Sequence, residues 1–118
     1  MKTLVLMLSV VLAGASIASA VDQNVLTWTD NSNNETAFDI QRGTAANVAA
    51  CQSGVTFTAL VSVGANVTSY TDTAVVQGTT YCYRIDASNS SGPSAFSNIA
   101  GRTVPFTVPA SPSGLTVN

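Results

Sequence analysis

Histidine is absent from the 118 residues, and the only lysine is Lys2. These absences remove Ser-His-Asp and Cys-His nucleophile systems, histidine metal sites and a lysine base. Charge of either sign is sparse: six Asp and Glu stand against four Lys and Arg. A polyanion finds no basic patch here, so nucleic acid is not expected as a partner. Two cysteines fall short of the four ligands of an ordinary zinc site. No stretch reaches the roughly eighteen apolar residues that a membrane-spanning helix needs, and no helical period is sustained past the N-terminus. The six carboxylates are not spaced as a catalytic pair. The chain is therefore expected to be no enzyme, to hold no metal and to need no cofactor.

The first twenty residues carry the three parts of an export signal: Lys2, the apolar run Leu4 to Ala13, and the small-residue site Ala18-Ser19-Ala20. Cleavage after Ala20 leaves 118 − 20 = 98 residues, one domain with one core. The cut removes Lys2, so three arginines face six carboxylates and the formal charge becomes 3 − 6 = −3. The expected location is secreted, extracellular or at the cell surface, with no membrane contact after cleavage. In an exported chain the pair Cys51 and Cys82 reads first as a disulfide.

Short alternating runs broken by turn residues fill the rest, which makes an all-β reading. Strands are expected at Val25 to Thr29, Ala37 to Arg42, Thr56 to Val63, Thr68 to Asp72, Thr80 to Asn89 and Ser97 to Thr103. In the second, Phe38 and Ile40 share one face and Asp39 and Gln41 the other. In the fifth, Tyr81, Tyr83, Ile85 and Ala87 face the core, while Cys82 alternates outward. A bridge from Cys51 is thus expected to reach over the outer face of this strand. It closes a loop of about 30 residues and contributes ~3–4 kcal/mol in the chain-entropy account.

With Leu26-Thr27-Trp28-Thr29-Asp30-Asn31 leading to Phe38 and Ile40, Val63-Gly64 running on to Tyr70-Thr71-Asp72, and Gly78 preceding Tyr81-Cys82-Tyr83-Arg84-Ile85, the chain resembles fibronectin type III domains, especially those of bacterial extracellular proteins. The resemblance spans about Val25 to Thr103 and implies an immunoglobulin-like two-sheet sandwich. It implies a core of Trp28, Phe38, Ile40, Tyr81, Tyr83 and Ile85. It does not name an activity, because such domains serve as spacers, adhesive units, receptors and enzyme accessories.

One departure from that pattern bears on function. Such domains open with a strand that pairs with the Trp-bearing strand, and only Val21 to Asn24 precede Val25 after cleavage. A segment of that kind, Pro109 to Asn118 with Leu115 and Val117 as its inward pair, lies instead at the other end. It can begin a second module, fold back on its own domain, or complete a neighbouring copy. The domain is accordingly divided as residues 21–103, with 104–118 a linker and candidate donor strand. The favoured expectation is head-to-tail self-assembly into an extracellular filament of structural or adhesive function. Val25 and Thr27 then offer the receiving edge, Leu115 and Val117 fill the core, and Phe106 and Val108 pack at the junction. The partners are other copies of the chain, with surface proteins or glycans beside them. The alternative is a spacer or substrate-binding accessory module of a larger secreted protein or enzyme.

Lesser patterns are read as scaffold. Asp30-Asn31-Ser32-Asn33-Asn34-Glu35 alternates like a calcium loop but has Glu35 where glycine belongs and Gln41 at the twelfth place, so it is read as a polar turn, with a weak calcium site unlike the family's as the alternative. The aromatics could stack on sugars, yet their alternation assigns most of them to the core. Asn34, Asn66 and Asn89 each open an N-glycosylation triplet.

Overall fold

The computed structural model describes residues 12–13, 16–17 and 22–118. The export signal and its cleavage site lie outside the described residues, apart from the paired dipeptides β1 (Leu12–Ala13) and β2 (Ser16–Ile17). The elements that follow are β3 (Asn24–Thr27), β4 (Ala37–Ala45), a short 3-10 turn (Ala49–Gln52), β5 (Thr58–Gly64), β6 (Ser69–Asp72), β7 (Thr80–Asn89), β8 (Gly92–Pro93) and β9 (Ala100–Thr103).

Two antiparallel sheets face each other across one core. The smaller pairs β3 with β6, Asn24 opposite Asp72 and Thr27 opposite Ser69. The larger runs β5-β4-β7, with β8 and β9 along the far edge of β7. Alternation explains the inner faces. Leu26, Trp28, Phe38, Ile40, Tyr81, Tyr83 and Ile85 are all buried in one cluster, and the Trp28 and Phe38 rings meet at 5.6 Å and 57°. At ~1.5–3 kcal/mol for each large apolar side chain buried, this cluster supplies most of the driving force for folding.

Several boundaries differ from the sequence reading. β4 runs three residues beyond Arg42, because Gly43, Thr44 and Ala45 stay in register with Cys82, Tyr81 and Thr80 of β7. A register shift against β5 at Ile40/Gln41 lets it bend there. β9 is shorter than expected at its start. There Ser94 and Ser97 turn their hydroxyls onto β7, accepting the amides of Ala87 at 2.9 Å and Ile85 at 3.0 Å. The Ser94 and Ser97 amides donate in return to Ala87 O at 2.7 Å and Ile85 O at 2.8 Å, so at each residue a side-chain bond stands in for only one of the two ladder bonds. Val104, counted with the linker, is fully buried in the core. Its amide donates to Thr79 O at 3.0 Å and its carbonyl accepts from Gly78 at 2.7 Å.

Cys82 also departs from expectation. It does point away from Tyr81 and Tyr83, but it is fully buried, because the 3-10 turn carrying Cys51 folds over that face. β7 is thus covered on both sides at this level, and Asp86 further along is buried too.

Candidate functional site

Three features stand out beyond the core. The first is the Cys51–Cys82 disulfide, Cα atoms 5.5 Å apart. It clamps the turn after β4 against β7, under Gly101 of β9, where a Cβ would sit 2.6 Å from Cys51 Sγ. A glycine is required there because the two strands and the bridge leave no room.

The second is a buried polar network that ties the two sheets together. Asp72 at the end of β6 accepts from Tyr83 Oη at 2.7 Å and from Arg42 Nη1 at 2.8 Å. Its other oxygen takes the Ala74 amide at 3.1 Å. Asn24 of β3 donates to Tyr83 Oη at 2.8 Å, and Arg102 of β9 reaches Gln23 O at 3.0 Å and Asn24 Oδ1 at 3.3 Å. Burial pushes the Tyr83 phenol well above its usual range, so it stays a donor to Asp72. Burial alone would lower Arg42, but the hydrogen bond and charge of Asp72 outweigh it and leave the guanidinium above its ordinary value. Nothing in the alternation announced this network. Its only signal was a carboxylate, Asp72, on the same inward face of β6 as Tyr70. At the other corner Tyr81 Oη accepts the Val76 amide at 2.9 Å, bracing the turn before β7.

The third is the tail and the edge it was expected to serve. Asn24 and Leu26 of β3 point inward, and Val25 and Thr27 outward, half-buried. Among the described residues β3 pairs with β6 alone. Gln77 holds both ends of the domain at one pole. Its amide donates to Asp22 Oδ2 at 2.9 Å and to Thr107 Oγ1 at 3.1 Å, and its carbonyl accepts the Thr107 amide at 3.2 Å. Phe106, although 77% exposed, lays its ring over Gly78. Beyond Thr107 the chain leaves the domain: Val108, Leu115 and Val117 are 88%, 94% and 93% exposed. Leu115 and Val117 make no return to their own core.

On the outer face of the larger sheet, Arg84 lies between the rings of Phe57 at 4.3 Å and Phe96 at 3.8 Å and donates to Gln41 at 2.8 Å. Phe57 and Phe96 therefore sit outside the core cluster. Among the described residues no three His, Cys, Asp or Glu side chains cluster as metal ligands. At the pole opposite Gln77, Glu35 rests against Asp30; that contact first, and burial second, raise its carboxyl above the usual range.

Two facing antiparallel sheets with a braced tyrosine corner define an immunoglobulin-like sandwich. No family model matches the sequence. No curated protein matches it significantly. Solved structures do. The fourth fibronectin type III domain of a human protein superposes with a TM-score of 0.59 at 15% identity, covering 94% of this chain and 85% of that one. The Twitchin kinase region of C. elegans matches with a TM-score of 0.57 at 21% identity, over 72% of this chain and 14% of that one. Pectate lyase Pel3 of Pectobacterium carotovorum matches with a TM-score of 0.56 at 19% identity, over 89% of this chain and 28% of that one. The fold is that of fibronectin type III domains. This chain spans only a small part of the longer proteins it resembles, and a disulfide in a small β-domain is consistent with an extracellular location.

Proposed function

We propose that the chain is a secreted, non-catalytic structural module that joins copies of itself head to tail, residues 114–118 of one subunit lying along β3 of the next. The observation that carries this reading is the conjunction of a β3 strand that pairs with β6 alone among the described residues with an alternating apolar pair, Leu115 and Val117, held almost fully in solvent on the same chain. Polarity favours a neighbour over the chain's own domain. Asn24, where β3 starts, and Thr107, where the tail leaves, both sit at the Gln77 and Arg102 pole. A tail turning back from that pole would run parallel to β3. One arriving from a neighbour at the opposite pole runs antiparallel, the arrangement joined by perpendicular hydrogen bonds and slightly more stable per residue.

Burying Leu115 and Val117 contributes roughly 3–6 kcal/mol, and about five ladder bonds add ~0.5–1.5 kcal/mol each. Association costs ~4–15 kcal/mol in lost freedom. The strand alone is marginal. The Gln77–Thr107 bonds and the Phe106–Gly78 contact lower that cost, because a linker already anchored on its own domain has less freedom to lose.

Light scattering and electron microscopy of the mature chain test the proposal. Multimers are expected from the full chain and only a destabilised monomer after removal of Pro105 to Asn118, with a peptide of Pro109 to Asn118 restoring stability but not length. A truncated chain as stable as the full one, with no multimers of the latter at any concentration, would falsify it. A second reading, a spacer or accessory module of a longer secreted protein, is favoured by the small shares of the Twitchin region and the pectate lyase that this chain covers. Pro109 then opens the next module, and a reading frame continuing into a catalytic domain decides for it.

A further inference from the structure

The pole opposite Gln77 is formed by the β3–β4 turn and the β7–β8 turn, joined where Asn89 Nδ2 donates to Asn34 O at 3.1 Å and the Thr36 amide to Ser88 O at 2.8 Å. Between them is an open cavity of about 270 Å³, with Ser32, Asn34 and Glu35 on the side of the first turn, Ser88 and Asn89 on the other, and Ala87 and Pro93 adding apolar surface. Glu35 is only 8% exposed, and its Oε1 is buried without a hydrogen-bond donor. Asp30 is brought against the same carboxyl group, held there by Ser32, whose amide and hydroxyl donate to Asp30 Oδ1 at 3.0 and 3.3 Å.

Two carboxyl groups in contact share a proton, the state in which the Asp30 contact raises Glu35, or, when both are ionised, repel unless a cation lies between them. The arginines are engaged elsewhere: Arg42 with Asp72, Arg84 with Gln41 and two phenyl rings, Arg102 with Gln23 and Asn24. A buried carboxylate oxygen without a donor is a costly group for a fold to keep. What fits it is a hard cation. The surrounding donors are all oxygen, carboxylate, hydroxyl and amide carbonyl, with no nitrogen or sulfur ligand to favour zinc or copper. A loop of this kind adapts to the variable coordination of calcium more readily than to the strict octahedron of magnesium.

We propose that Asp30 and Glu35 bind one Ca²⁺ ion at this pole, with neutral oxygens of the same turn and water completing its shell. With two charged ligands on a surface turn, the affinity falls in the range of extracellular modules, Kd ~0.1–1 mM. The site is unlike a helix-loop-helix calcium loop, because its second carboxylate comes five residues after the first instead of at the twelfth place. It stands independently of the assembly reading, since neither residue belongs to β3 or to the tail.

The test is calorimetric titration of CaCl₂ into the mature chain at neutral pH, with thermal melts in CaCl₂, MgCl₂ and EDTA. Expected are one ion per chain and a Tm raised by roughly 5–10 °C at ten times Kd, the linkage shift for a domain of this size. Magnesium should act more weakly. Glu35→Gln and Asp30→Asn should each abolish the calcium shift while keeping the far-UV spectrum of the wild type. Identical melts of the wild type in 10 mM CaCl₂ and in EDTA overturn the proposal: the pair is then reconciled by a shared proton. Undiminished binding by the double variant overturns it as well, because the ion then sits elsewhere.

Discussion

Asp72→Ala removes the acceptor on which the two sheets converge. In the wild type this carboxylate is buried and accepts from Tyr83 Oη, Arg42 Nη1 and the Ala74 amide. Alanine leaves a buried phenol and a mostly buried guanidinium without their partner. Breaking one side of a buried ion pair costs ~3–5 kcal/mol. Part of the Arg42 side chain still reaches water, which lowers this to about 2–4 kcal/mol. A domain of this size has only ~5–15 kcal/mol of stability in all, so the loss is a large share. At ~4–8 °C per kcal/mol, Tm should fall by roughly 8–32 °C. Urea denaturation followed by Trp28 fluorescence measures it directly, and Arg42→Met with the double variant closes a cycle. The cycle should return a coupling of at least ~1 kcal/mol, with Arg42→Met less harmful in the Asp72→Ala background than in the wild type. A single variant within ~0.5 kcal/mol of the wild type, or a cycle that sums additively, refutes the claim that this network locks the sheets together.

The disulfide lies wholly inside the fold, so dithiothreitol should reduce it only as fast as the domain opens; alkylation rates that fail to rise with urea would contradict this. Gly101→Ala places a methyl against Cys51 Sγ and Tyr81 O and should cost ~1–3 kcal/mol, seen as a lower urea midpoint. Gly78 has φ +79° and lies under the Phe106 ring, so Gly78→Ala should both strain the turn and release the tail; trypsin-independent proteolysis near Thr107 reports the second effect. Asp39 is held below the usual carboxylate range, first by Ser88 and, against the opposing effect of burial, by Ser62. Its contribution is present above the ordinary Asp value and lost as pH falls through the lowered one. Ser62→Ala, which removes the 2.8 Å bond to Asp39, should therefore weaken the domain at neutral pH and leave a smaller further loss on acidification to pH 3.

Alternation along the chain determined which residues face inward, because a strand's side chains change sides at every step whatever the strand pairs with. That is why Phe38, Ile40, Tyr81, Tyr83 and Ile85 could be assigned to the inner face before any sheet was drawn, whereas Trp28 came from the family resemblance and the single bridge from the expectation of export. What alternation cannot say is whether the second face of a strand is covered. Cys82 read as outward and is buried, because the short turn at Ala49–Gln52 comes back over β7. Polar residues suffered the same limit in sharper form. Asn24 and Tyr83 lie 59 residues apart and share a hydrogen bond with no pattern linking them, since a buried donor finds its acceptor in three dimensions. The tail shows the reverse division. Its alternating Leu115 and Val117 were plain in the sequence, but the pole from which it departs was decided only by the packing of Gln77 against Thr107 and Asp22.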